Sequence, residues 1–162
     1  MTMMTEETRQ ENKALPFPGT FTAAPNDVLR NYWVHPKFSG NCFAVYMHLL
    51  DRYNAKKRYA WPTQDQIADK LLISRPTVVK VLKDLEYLRL IAIMDSPVGT
   101  NKVYVPLKPL GSIEELESTF PEVSEHRREF EEKRKRDRGP REKKQADFEA
   151  QLAMIRGDVK SL

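Results

Sequence analysis

Between Trp61 and Ile91 the apolar positions trace two short helical periods separated by a break. Ile67, Ala68 and Leu71 recur at helical spacing after Thr63, whose hydroxyl can accept a bond from an orphan backbone N–H, so the first helix is predicted to open there. The second opens at Ser74, with Pro76 in its first turn, where a missing N–H costs nothing and the fixed φ already suits a helix. Val78, Val81, Leu82, Leu85 and Leu88 form its buried stripe, and Arg75, Thr77, Lys80 and Lys83 occupy the other side. Two helices crossing steeply over a short turn need a small side chain near the crossing, which Ala68 supplies.

The same reading extends to both sides. Cys42, Val45, Tyr46, Leu49, Leu50 and Tyr53 repeat as the buried face of an earlier helix capped by Ser39 or Asn41, ended by the loop NAKKRYAWP. Tyr59 and Trp61 read as packing residues over the core rather than a stacking platform. A short strand is expected at Phe21 to Ala23, then a helical turn capped by Asn26. After the second helix of the pair, IAIMD and KVYVP alternate, with Ile91, Ile93, Val103 and Val105 expected inward. Pro97, Gly99 and Asn101 between them supply turn chemistry, predicting a β-hairpin.

Three stretches follow. Residues 1–19 are polar and then Pro-rich, without periodicity, and read as a flexible arm; 20–110 form the folded domain; 111–162 form a charged tail, helical or partly disordered. In the tail, Ser112 and Glu115 can form a capping box. Pro121 can start a second helix to about Arg138, and Gly139-Pro140 is expected to interrupt before a third. Phe148, Leu152 and Ile155 make an apolar seam too short to stabilise a free helix, so it should dock on its own domain or on a partner, self-association being the leading use.

A length of 162 residues suits one domain plus a tail. The net charge of +4 and a pI near 9.1 are compatible with nucleic acid without deciding for it. Residues 133–144 hold eight Lys and Arg against Asp137 and Glu142, a local excess that suits a second phosphate contact. Over 112–162, however, 12 basic residues face 13 acidic ones, which favours a solvated helix of mixed charge. The single cysteine, Cys42, excludes an internal disulfide and reads as a core thiol. His35, His48 and His126 are isolated and no glycine-rich phosphate loop is present, so neither metal, cofactor nor catalysis is expected. No apolar stretch approaches the ~20 residues of a membrane span, and the first residues are polar; a cytoplasmic protein without membrane contact is expected.

The order helix, helix, turn, helix, hairpin, carried by PTQDQIADKL, ISRPTVVKVLKDLEYLRLI and VGTNKVYV, resembles the winged helix-turn-helix family over about residues 26–106. It is similar to winged helices of plasmid, phage and mobile-element regulators and replication initiators. The resemblance implies a mainly α fold with a small β-hairpin wing, and a recognition helix at 75–88 that enters the major groove. It places Arg75, Thr77, Val79 and Lys80 at base edges and Lys83 on phosphate. Asn101 and Lys102 in the wing would meet the backbone or minor groove, and Thr63 and Gln64 a phosphate. The implied partner is double-stranded DNA, bound by a homodimer, with a possible protein partner on the C-terminal tail. A regulator of transcription or DNA maintenance is the leading expectation, a replication or primosome accessory protein the alternative, and a purely protein-docking winged helix a third. Two positions depart from the family: Leu72 and Arg89 stand where glycine is usual, at sites of left-handed geometry that cost other residues roughly a kcal/mol. A turn of altered length would be one relief.

Overall fold

The computed structural model describes residues 15–159. Its helices are α1 (Asn26–Asn31), α2 (Gly40–Asp51), α3 (Gln64–Leu71), α4 (Arg75–Tyr87), α5 (Ile113–Thr119) and α6 (Glu122–Val159), with a 3₁₀ turn Tyr32–Val34 after α1; strands β1 (Ile91–Asp95) and β2 (Lys102–Pro106) lie between α4 and α5. This is a mainly helical winged helix-turn-helix with a long C-terminal helix.

The caps of the central helices form as their sequences dictate. Ser39 accepts the Cys42 N–H at 3.2 Å and starts α2. Thr63 and Gln66 form a reciprocal capping box on α3, at 3.1 and 2.9 Å. Ser74 accepts the Thr77 N–H at 3.3 Å and starts α4. The buried stripe of α4 is the expected one, and Asp84 lies buried beside it. On α2, Cys42, Val45, Tyr46 and Leu49 are buried, whereas Leu50 is half-buried and Tyr53 lies exposed beyond the helix end.

Leu72 and Arg89 adopt the left-handed conformation without glycine, at φ 55° and 58°. Three residues, 72–74, separate the helices at the first of these two turns. At the first, the N–H groups of Leu72 and Ile73 both bond the Ala68 carbonyl; at the second, Leu90 N–H reaches the Leu85 carbonyl at 3.1 Å, closing the helix end.

Near the N-terminal side two expectations change. Phe21 to Ala23 forms no strand; Phe21 is 63% exposed and the Thr22 hydroxyl bonds Asp51 instead. The cap position of α1 is Pro25, not Asn26, and the Pro25 carbonyl accepts the Val28 and Leu29 N–H groups. The loop after α2 is more ordered than its composition suggests. Asn54 Oδ1 accepts from the Lys56 and Lys57 N–H groups, the chain reverses, and Ala60 makes two backbone bonds to Tyr104 at 2.8 and 2.9 Å. Trp61 sits on the surface with Lys57 Nζ 4.7 Å from its ring centre, and Pro62 is the buried member of the pair.

In the hairpin, Ile93 pairs with Tyr104 and Met94 with Val103. Opposed residues share a face, so Tyr104 joins Ile91 and Ile93 toward the core, and Val103 and Val105 share the other face with Met94 and Ala92. The inward set expected for β2 is therefore shifted by one residue, and Tyr104 belongs to the main core cluster while Val103 is buried outside it.

The core runs on past Leu110, where composition predicts its end. Leu116, Phe120 and Val123 are buried in the cluster that holds Tyr32, Leu85 and Leu88. The Tyr32 hydroxyl accepts the Leu110 N–H at 2.8 Å, and His126 Nδ1 lies 3.0 Å from the Val34 carbonyl oxygen. Ser112 caps α5, but Glu115 reaches the Gly111 N–H rather than that of Ser112, so the box is not reciprocal. α6 then continues through Gly139 and Pro140 as one helix, roughly 57 Å long at 1.5 Å per residue. Proline removes one intrahelical bond there, but the Glu, Lys and Arg that dominate either side are strong helix formers.

Candidate nucleic-acid interface

The N-termini of α3 and α4 and the tip of the wing converge. They enclose an open cleft of about 310 Å³ lined by Thr63, Gln64, Asp65, Arg75, Asn101 and Lys102, with Pro62, Thr100 and Tyr104 completing it. Five residues singled out from the sequence, taken from three separate elements, thus meet at one place. The capping box brings Thr63 there with its hydroxyl oxygen already accepting from Gln66, which leaves the hydroxyl hydrogen to donate. The amides of Gln64 and Asp65, the first two of the helix, have no intrahelical acceptor and suit an anion.

Arg75 opens α4 and is exposed; its Nε lies 3.4 Å from Asp65 Oδ1. In the wing, Lys102 forms an ion pair with its cross-strand neighbour Asp95. Both cleft cations are therefore held by carboxylates, as exposed pairs that contribute about 0–1 kcal/mol each and exchange readily for phosphate. Asp65 and Asp95 escape sequence reasoning, because each matters only through a neighbour that the fold supplies.

The remaining sequence-derived positions lie along α4 outside the cleft. Val79 and Lys83 follow Arg75 at four-residue intervals; Val79 is half-buried and Lys83 exposed. Thr77 is half-buried, its hydroxyl 2.7 Å from that of Ser74, so it serves the cap. Lys80 Nζ bonds Asp84 Oδ2 at 2.8 Å, and that hydrogen bond raises the lysine pKa above its ordinary value. Lys37 Nζ also approaches Asp84, at 3.7 Å. Asp84 follows Lys80 by four residues, the spacing of a same-face helical pair, and is buried at the edge of the α4 stripe.

Three-helix packing, a helix pair joined by a left-handed turn and an antiparallel wing give the domain a winged helix-turn-helix fold. Residues 39–91 match the family described as a helix-turn-helix domain. Among solved structures the chain is similar to one titled N-terminal domain of DNA binding protein, with 15% identity over 72% of this chain and 92% of that one and a TM-score of 0.46. It is also similar to one titled Structure of Rep-DNA complex, with 15% identity, 72% and 93% coverage and a TM-score of 0.45. No curated protein matches the sequence. Among the described residues no helix is long and apolar enough to cross a membrane.

Proposed function

We propose that the chain binds duplex DNA without catalysis, with α4 in the major groove and the wing, 96–102, on the backbone or minor groove. It does so as a homodimer on paired half-sites, and it serves transcriptional control or DNA maintenance on a plasmid, phage or other mobile element. The observation that carries this reading is the convergence of Thr63, Gln64, Arg75, Asn101 and Lys102 on one cleft. Helix amides and hydroxyls there suit a phosphate, and Arg75 at the start of the recognition helix suits a guanine edge. The exposed helical tail favours a second reading, a replication or primosome accessory protein that recruits partners through α6.

Binding to random and genomic duplexes across a salt series separates the two. A steep salt slope with one enriched motif supports the regulator; a steep slope without a motif supports the accessory protein; no binding at low salt overturns both.

A further inference from the structure

The end of α6 carries an apolar seam that no other described residue covers. Phe148, Leu152 and Ile155 are 57%, 38% and 62% exposed, and their spacing of four and then three residues sets them on one helix face. Folding back onto the domain is excluded while the helix is continuous. The contacts of α6 with the domain end at His126 and at Arg127, which pairs with Glu117. Phe148 lies 21 residues farther on, roughly 30 Å along the axis.

Charge selects the occupant and its direction. Glu149 and Arg156 each follow a seam residue, so they lie on the same flank, one heptad apart and opposite in sign. In an antiparallel pair of copies, Leu152 of each faces Ile155 of the other, and Glu149 of each meets Arg156 of the other, twice by symmetry. The basic stretches 133–144 then run to opposite ends. A parallel pair in register would lay those eight Lys and Arg beside their duplicates over some three turns.

We infer that two copies of the chain associate through an antiparallel pairing of the 148–156 segments of α6. The overlap is only two to three turns, well short of the ~1,200 Å² of a stable interface, so the association is reversible and concentration-dependent. This deepens the dimeric part of the proposed function but does not depend on DNA, and it is tested without DNA.

Sedimentation equilibrium of the full chain from micromolar to several hundred micromolar should show a monomer–dimer equilibrium that Leu152→Glu weakens at least tenfold. Glu149→Arg should weaken it as well, and Arg156→Glu added to that variant should restore it. A monomer at every concentration, indifference to Leu152→Glu, or no restoration by the charge swap overturns the proposal. None of these outcomes bears on whether the winged domain binds DNA.

Discussion

Arg75, in the first turn of α4, is tethered to Asp65, in the first turn of α3, by an ion pair of 3.4 Å. The side chain proposed to fork onto a base is thereby held by the helix before it, through Nε rather than its terminal amino groups. Arg75→Ala should cost about 1–3 kcal/mol on a preferred duplex and relax the preference at one base pair. Asp65→Asn removes the competing carboxylate, so binding should tighten on all sequences while discrimination falls. Fluorescence anisotropy against single-substitution duplexes measures both, and an unchanged preference profile for Arg75→Ala would remove Arg75 from base readout.

Lys102 is placed differently. It stands at the start of β2, opposite Asp95, at the mouth of the same cleft but on the wing. Lys102→Ala should weaken every duplex by a similar factor and lower the salt slope by about one. A loss confined to one sequence would make Lys102 a base-reading residue instead.

The caps and buried stripe of the central helices were legible in the sequence, whereas the Pro25 cap of α1, the continuity of α6 through Pro140 and the relationships between elements were not. Ser39, Thr63 and Ser74 cap helices because a hydroxyl three residues before an orphan N–H can reach it whatever else the chain does. The stripe of α4 is equally local. The hairpin misleads because Val103, Tyr104 and Val105 are apolar in succession, so alternation is blind to the choice of face. What decides it is pairing to Ile93 on one side and to Ala60 on the other. Leu116, Phe120 and Val123 share the spacing of Phe148, Leu152 and Ile155, yet the first set is core and the second is not, since only the first lies within reach of the domain. Of the cleft, Thr63, Gln64, Arg75, Asn101 and Lys102 could be singled out by residue type, but not their meeting at one place. Their carboxylate partners arise from packing between elements, whereas the bonds of Thr77 to Ser74 and of Lys80 to Asp84 are local to α4 and follow from helical spacing.

Residues after Leu110 should therefore matter for stability. Leu116 is fully buried, and Leu116→Ala should destabilise the domain by about 2–4 kcal/mol. A chain ended at Leu110 should show a lower urea midpoint than one ended after Arg128, which keeps Phe120, Val123 and His126 in place. Equal midpoints for the two truncations would put the end of the cooperative unit back at 110.

Leu72 holds φ 55° with its side chain 92% exposed, so it bears backbone strain with little burial in return. Leu72→Gly should raise stability by about 0.5–1 kcal/mol, the relief of left-handed strain exceeding the added freedom of the unfolded chain. Urea denaturation measures it, and a clear loss of stability would mean that Leu72 packs against something at the turn.

His35 makes the domain sensitive to mild acid. Its ring is 1% exposed; Nδ1 accepts the Lys37 N–H at 3.0 Å, so Nε2 carries the hydrogen and donates to Glu122 at 3.1 Å. Burial holds its pKa below 6.5, and the opposing pull of the Glu122 carboxylate is the smaller effect. Below pH 6.5 the unfolded chain takes up a proton that the folded ring refuses, so the stability is complete above 6.5 and is lost as pH falls through the folded value. His48, whose pKa burial also lowers, adds a loss of the same sign. Glu122 follows at lower pH, because the Tyr87 hydroxyl holds its pKa below 4.5. The urea midpoint should thus decline between pH 7.5 and 5.5. His35→Gln should start lower at pH 7.5 yet decline less steeply, the remaining slope belonging to His48; a slope equal to that of the unaltered chain would mean that the protonation of His35 is not coupled to folding.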